Sequence, residues 1–131
     1  MEKKYVVPLK DAISGVLYGG TGTFNVLIDE DVSGAKQFSL LKNTMNAGVK
    51  GGEHKHTDTE HCWYILSGSG TLYVEGESYG IGPEMAVFAP ANKMHRLDAD
   101  PGEDLTYLLI CAPPGPEKLL KERGAKAFDE K

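Results

Sequence analysis

The feature that most constrains the fold of this chain is an alternation of apolar and polar residues, with a period of two, through most of its middle. Every second side chain of an extended strand lies on the same face, so this alternation predicts strands with one buried face. The predicted strands are separated by Gly, Pro, Asn or Asp and cover residues 24–28, 36–45, 61–67, 71–75, 78–81, 85–89, 94–98 and 105–111. No helical pattern lies between them, which favours a sandwich or barrel over alternating strands and helices.

The length of 131 residues predicts a single domain that covers residues 1–131. We expect its core at about residues 36–112, followed by a C-terminal extension at 113–131 that includes a short helix at 117–123. The 16 glycines and 7 prolines fit the many turns of an all-β fold. Residues 125–131 are expected to be frayed.

Two glycine-rich segments predict turns. Ser67-Gly68-Ser69-Gly70, between two predicted strands, has the composition of a hairpin turn. The glycines between residues 15 and 22 form a flexible segment that we interpret as ordinary turns. A phosphate-binding loop is not expected there, because neither the dinucleotide fingerprint nor a Gly-Lys-Ser/Thr ending is present.

Charge and hydropathy exclude several classes of partner. The chain has 19 acidic and 14 basic residues, which argues against a nucleic-acid partner, since that partner needs a clustered basic face. No apolar run approaches the length of a membrane span, and the first eight residues lack the apolar core of a signal peptide. A cytoplasmic protein without a membrane partner is therefore expected. Cys62 and Cys111 are expected to be free thiols.

The histidines are few and closely spaced, and they are the candidate site. His54 and His56 lie two residues apart, so on an extended segment both imidazoles lie on the same face. His61 opens the next apolar strand, and His95 opens a distant one. Neutral imidazole is the commonest side-chain metal ligand, and nitrogen-rich sites suit Zn, Fe, Cu or Ni. The alternative is that the four histidines are scattered residues without a common partner.

Residues on the same strand faces complete the candidate site. Alternation places Trp63 and Ile65 on the face of His61, and we expect them to line a pocket wall. Tyr73 and Tyr107 are further candidates for the pocket lining. Both tyrosines, with Glu75, are also candidates for a general acid or base, although tyrosine in a strand usually serves packing. The opposite face of the His61 strand is apolar too, which predicts a cover from the N-terminal segment or a second subunit; its residues are Cys62, Tyr64 and Leu66.

The spacing of the histidines resembles the first motif of single-domain cupins. In that motif Gly is followed after five residues by His-x-His, after three or four more by Glu, and after six more by Gly. The corresponding positions here hold Gly48, His54, His56, His61 and Gly68. His61 thus stands at the position of the family's Glu. Glu60 stays open as the alternative ligand, but the six-residue interval to Gly68 starts only from His61, and strand parity turns Glu60 to the opposite face.

The second motif of the family is present in a degenerate form. It runs Gly, five residues, Pro-x-Gly, two residues, His, three residues and Asn. Pro90 and His95 match it, whereas Glu84, Asn92 and Ala99 stand at the Gly, Gly and Asn positions. The resemblance covers about residues 40–112.

The resemblance implies an all-β fold, a cupin-type double-stranded β-helix barrel of the jelly-roll kind, and a homodimer. It implies one divalent transition metal in a four-histidine variant of the site, with Fe, Ni, Cu or Zn favoured over Mn; the ligands are His54, His56, His61 and His95. The function it implies is a metal-dependent enzyme acting on a small oxygen-rich organic molecule. Dioxygenase chemistry, which would make the protein an oxidoreductase, is favoured over isomerase or lyase chemistry. The alternative is a non-catalytic small-molecule-binding or sensor cupin.

Overall fold

The described part of the chain, which in this computed structural model is residues 3–123, contains nine strands. The strands are β1 (Ile13–Val16), β2 (Gly22–Ile28), β3 (Ser39–Met45), β4 (Glu60–Ser67), β5 (Gly70–Val74), β6 (Glu77–Ile81), β7 (Ala86–Ala89), β8 (His95–Ala99) and β9 (Leu105–Ala112). Two short helices, α1 (Glu30–Ser33) and α2 (Pro116–Arg123), follow β2 and β9. The all-β fold with a short C-terminal helix predicted from the sequence is confirmed.

The strands form two antiparallel sheets. The larger sheet has six strands in the order β1-β2-β3-β9-β4-β7, and the smaller has three in the order β6-β5-β8. The segment before β4 extends the smaller sheet, because isolated bridges join Lys50 to Asp98 and His54 to His95. Strand β6 is a terminal strand of the smaller sheet and β7 is a terminal strand of the larger sheet, and a seam lies between them.

The alternating residues of both sheets form one core. Strand β3 buries every second residue, and β9 and β4 show the same pattern over most of their length. Register places the inward side chains of the larger sheet in rows across the strands. The row at one end contains Ser39, Cys111, His61 and Ala89, and the next row contains Leu41, Leu109, Trp63 and Val87. His61 thus lies in an end row of an otherwise mainly apolar interior.

Two expectations about the first half of the chain differ from the structure. The glycine-rich segment is not made only of turns, because Gly15 lies in β1 and Gly22 begins β2. A Cβ atom at Gly22 would lie 1.9 Å from the carbonyl oxygen of Thr44, so close strand packing requires glycine there. The core also begins before residue 36, because Phe24 and Val26 of β2 are buried in it.

The predicted hairpin at Ser67–Gly70 is also wrong. Strands β4 and β5 belong to different sheets, so this turn passes the chain from one sheet to the other. Gly68 has a φ of +84°, and a Cβ there would meet the backbone of Asp104 at 2.3 Å. The observed hairpin joins β5 to β6 through Glu75 and Gly76, both with positive φ, as a two-residue primed turn requires.

The C-terminal helix is attached to the barrel by polar contacts. The predicted helix is confirmed as α2, and its Glu117 is 1% exposed. The Oε1 atom of Glu117 accepts hydrogen bonds from the Ser39 hydroxyl and the Gly115 amide, each at 2.9 Å. Lys121 binds Asp29 at 2.5 Å and Asp31 at 2.6 Å, which links α2 to the start of α1. The expectation of a frayed end at 125–131 lies outside the described residues.

Within residues 3–123, no helix has both the length and the apolar character needed to span a membrane. The two cysteines are free thiols, as predicted.

Candidate metal centre

His54 and His56 are held beside the first residue of β8 by backbone hydrogen bonds. The His54 amide donates to the His95 carbonyl at 3.0 Å, and the His95 amide donates to the His54 carbonyl at 2.8 Å. The Asn92 amide donates to the His56 carbonyl at 2.7 Å. These contacts fix the backbone of two histidines against the strand that begins with the third.

His61 approaches the same place from the larger sheet. It is the second residue of β4, is 4% exposed and points into the interior. Glu60 is exposed at the start of the same strand, as the parity of the strand predicts. Glu60, the alternative ligand, therefore lies on the opposite face of β4 from His61.

The structure brings all four imidazole rings together. One ring nitrogen from each of His54, His56 and His95 lies within 4.8 Å of the other two, a spacing at which they could hold one metal ion. His61 lies next to this group of three: its ring stacks on His56 at a centroid distance of 4.6 Å and lies 5.1 Å from the ring of His95. The His54 and His61 rings are the farthest apart, at 6.5 Å. We call these four residues the histidine cluster.

Hydrogen bonds to the backbone orient two of the rings. Nδ1 of His54 lies 2.6 Å from the Gly52 carbonyl oxygen, and Nδ1 of His95 lies 3.1 Å from that of Lys93. A carbonyl only accepts, so each Nδ1 donates its proton, and Nε2 keeps a lone pair. Such a bond from the second nitrogen typically supports a metal-binding histidine.

Several buried ring nitrogens in the cluster have no hydrogen-bond partner among the described residues. They are Nε2 of His95 and both ring nitrogens of His61. Buried polar atoms almost always have a hydrogen-bond partner, so these unpaired nitrogens, at and beside the three converging ones, fit a bound ion. The donor set and these unpaired atoms fit a bound divalent transition metal.

Burial keeps the imidazoles of His56, His61 and His95 neutral. The pKa of His61 is lowered from 6.5 to about 3, first by burial and then by the neighbouring His56. The pKa of His56 is lowered to about 4, again first by burial and then by His54. The pKa of His95 is lowered for the same two reasons. At neutral pH these rings therefore have lone pairs available to a metal.

Three of the predicted pocket residues lie in the interior, at different distances from the cluster. The Trp63 ring makes edge-to-face contacts with His61 at 5.4 Å and with His95 at 5.9 Å, so it forms a wall of the cluster. Ile65 is fully buried two residues further along β4, in the row with Tyr107 and Asn43. Tyr107 is in the interior as well, hydrogen-bonded to Asn43, and burial raises its pKa to about 12. At neutral pH Tyr107 is thus a neutral phenol two rows from His61.

Tyr73 does not line the interior, so that prediction is wrong. On β5 the inward positions are those of Gly70 and Leu72, which turns Tyr73 to the outer face. There its ring lies 4.1 Å below the guanidinium of Arg96, which also forms an ion pair with Asp98 at 3.0 Å. Glu75 is not placed to act as a general acid or base either, because its exposed carboxylate accepts the Met94 amide at 2.9 Å.

A groove that the sequence did not reveal lies along the seam between β6 and β7. It has a volume of about 560 Å³. Its walls are mainly apolar and include Leu72, Val74, Ile81, Met85, Val87 and Phe88. Each is an ordinary apolar residue of a predicted strand or turn, so no local signal marks it. We call this feature the seam groove.

The fold of this chain recurs in known proteins. The sequence profile of the Cupin_2 family, described as a cupin domain, matches residues 43–111. No curated protein sequence matches the chain significantly.

Solved structures with the same fold include several cupins. The polyketide cyclase RemF from Streptomyces resistomycificus is 27% identical with a TM-score of 0.72, over 88% of this chain and 82% of that one. An RmlC-like cupin from Shewanella frigidimarina is 13% identical with a TM-score of 0.75, over 88% and 96%. The nucleoside dehydratase Pac13, from Streptomyces, is 17% identical with a TM-score of 0.69, over 88% of each chain. Since the profile match spans more than half of the residues, the chain belongs to the cupin family.

Proposed function

We propose that the protein is a metal-dependent cupin enzyme that acts on a small oxygen-rich organic molecule. The observation that supports this most directly is the histidine cluster itself, with buried nitrogens that have no hydrogen-bond partner among the described residues. Leaving a buried polar group unpaired costs roughly 1–3 kcal/mol. A bound ion would remove this cost, because the nitrogen lone pairs would then coordinate it.

The proposed ligands are His54, His56 and His95, with His61 as the fourth. The first three already form a group with converging nitrogens. His61 stacks on His56, and neither of its ring nitrogens has a partner among the described residues, so one of them is available to the same ion. All four ligands are neutral, which favours Fe, Ni, Cu or Zn over Mn or Mg. An ion held this way keeps its positive charge and so favours an anionic or strongly polar substrate group.

The protein side chains around the cluster would position the substrate and limit access of water. Trp63 covers one side of His61 and His95, and Val74 and Ala89 are the inward register neighbours of His95 and His61. A bound divalent ion supplies Lewis acidity towards a carbonyl or carboxylate oxygen, and iron or copper also supplies reactivity towards dioxygen. The surrounding apolar residues would exclude water, and the low dielectric would strengthen the electrostatic interaction between the ion and the substrate oxygen.

Dioxygenase chemistry remains the reaction class that we favour. The three-histidine group contains no carboxylate, and Tyr107 is a weakly acidic phenol two rows away. Proton-transfer chemistry would have few titratable groups to use among the described residues near the cluster, other than the histidines. The similarity to a polyketide cyclase and to a nucleoside dehydratase supports enzymatic use of such a barrel, and it keeps cyclase and lyase reactions as the second candidate class.

The test is an activity screen of protein loaded separately with Fe²⁺, Ni²⁺, Cu²⁺ or Zn²⁺. Diones, catechols and keto acids are offered, and dioxygen uptake and substrate loss are both recorded. We expect turnover of at least one compound by one metal form, accompanied by dioxygen uptake. The His56→Ala variant should lose it, whereas Lys55→Ala, its exposed neighbour, should retain it.

Tight binding of a compound without turnover by any metal form would favour the sensor or binding module instead. Substrate loss without dioxygen uptake would exclude the dioxygenase and favour the second class.

A further inference from the structure

The seam groove lies next to the histidine cluster. Val74, on its inner wall, is the register partner of His95 on the same face of the smaller sheet. Val87, on the opposite wall, is the register partner of Trp63, whose ring contacts His61 and His95. Directly opposed residues of antiparallel strands have Cβ atoms only about 4.5–5.5 Å apart. The inner end of the groove therefore borders the cluster from both sheets.

The lining of the groove selects for an apolar ligand. Among the described residues it contains no Asp, Glu, Lys, Arg or His, and its one phenol, Tyr79, donates a hydrogen bond to Glu77 at 2.8 Å. A carboxylate, phosphate or sugar in such a groove would lose hydrogen bonds to water without replacement. The volume of about 560 Å³ lies within the roughly 300–1,000 Å³ of small-molecule sites. An aryl or alkyl group gains from burial there.

We propose that the seam groove binds the apolar body, an aryl or alkyl group, of a substrate whose oxygen atoms face the histidine cluster. This assignment rests on the proposed function and narrows its substrate class. Small, wholly polar molecules would leave the groove unused. The substrate is thus amphipathic, with oxygen ligands at one end and a hydrocarbon portion at the other.

The assignment is tested with two diones that differ in one substituent, a methyl group in the first and a phenyl group in the second. Pentane-2,4-dione and 1-phenylbutane-1,3-dione offer the same pair of oxygen atoms, and binding of each to the zinc-loaded protein is measured by calorimetry. We expect the phenyl compound to bind at least about tenfold more tightly, from burial of the ring.

Met85 and Ser78 provide a pair of charge variants. Met85 lines the groove and is half-exposed, so Met85→Glu places a carboxylate among its apolar walls. Ser78 is exposed on β6 but does not line the groove, so Ser78→Glu is the control. We expect Met85→Glu to reduce the advantage of the phenyl compound to about threefold or less, and Ser78→Glu to preserve it. If Met85→Glu does not fold, Phe88→Glu, at another half-exposed residue of the groove, should have the same effect.

The outcomes separate the two levels of the proposal. If zinc binds but both diones bind equally, or if the phenyl advantage survives in Met85→Glu and Phe88→Glu, the groove assignment is overturned and the metal centre stands. If zinc does not bind to the wild-type protein, the proposed function is overturned and the groove assignment with it.

Discussion

At the residue scale, the cost of charging a buried imidazole governs how the metal-free protein responds to acid. Folding holds the pKa of His61 at about 3, whereas the unfolded chain has the ordinary value near 6.5. At pH values between these two pKa values, His61 is protonated in the unfolded state but not in the folded state. The free energy of unfolding therefore falls as the pH falls through this window, by up to about 1.4 kcal/mol per pH unit for a single group.

We accordingly predict that metal-free protein is less stable at pH 5 than at pH 7. Urea denaturation at the two pH values, in the presence of a chelator, measures the difference. His61→Gln should reduce it by roughly the contribution of one proton, because glutamine does not titrate. An unchanged difference in that variant would mean that His61 is solvated in the folded protein.

Single backbone conformations explain why the second cupin motif is only partly visible in the sequence. Glu84 and Asn92 stand at two motif positions that the family fills with Gly, and their φ values are +63° and +61°. Glycine is favoured there because the backbone is left-handed, and this chain adopts the same conformation with other residues. Asn92 is held by the bond from its amide to the His56 carbonyl. A sequence pattern based on glycine misses such positions although the backbone geometry is kept.

At the scale of elements, the strands were predictable where alternation is regular. Strands β3, β4 and β9 were predicted to within a few residues, because their buried side chains recur at every second position. β1 was missed because its Gly15 breaks the apolar pattern, and that glycine accommodates the Phe24 ring, 2.6 Å from where a Cβ would lie. Its partner β2 provides the contact, so the signal is not local. The orientation of Tyr73 was likewise decided by its strand neighbour Leu72 and not by its own type.

The outer face of the larger sheet supports the predicted homodimer, which we propose as the assembly. Tyr64 and Leu66 of β4 and Ile110 of β9 lie on this face, each about 40% exposed. The described N-terminal residues do not cover it, because Tyr5 and Val6 are almost wholly exposed and Lys4 bonds to Val32 in α1. A second copy that packs the same face would bury these side chains.

Sedimentation velocity tests this assembly. We predict a mass near twice 14.2 kDa for the wild-type protein and dissociation on Tyr64→Lys, because a charge would be buried in the interface. Ser78→Lys, on the exposed face of the smaller sheet, should leave the mass unchanged. A wild-type protein that sediments as a monomer at micromolar concentration would contradict the proposal.

At the scale of the whole molecule, the site combines what the sequence predicts with what only the fold reveals. The four histidines were found from their spacing, and the fold brings all four rings together. The seam groove was not predictable, because its walls come from β5, β6 and β7 and it exists only where two sheets end side by side. The spacing of the histidines thus predicted the cluster, but not the groove beside it.

The central claim is that the histidine cluster binds one transition-metal ion, and metal content measures it most directly. Protein purified without added metal, and protein reconstituted with Fe²⁺ or Zn²⁺ and then dialysed, is analysed by mass spectrometry of the elements. Trp63, the only tryptophan of the chain, lies beside His61 and His95 and gives an independent fluorescence signal during titration with metal.

We predict one metal ion per chain in the wild-type protein and in Lys55→Ala, with Fe, Ni, Cu or Zn exceeding Mn and Mg. His56→Ala should lose most of the metal, because it removes one of the three converging nitrogens. Equal metal content in His56→Ala and the wild-type protein would contradict the assignment of the site.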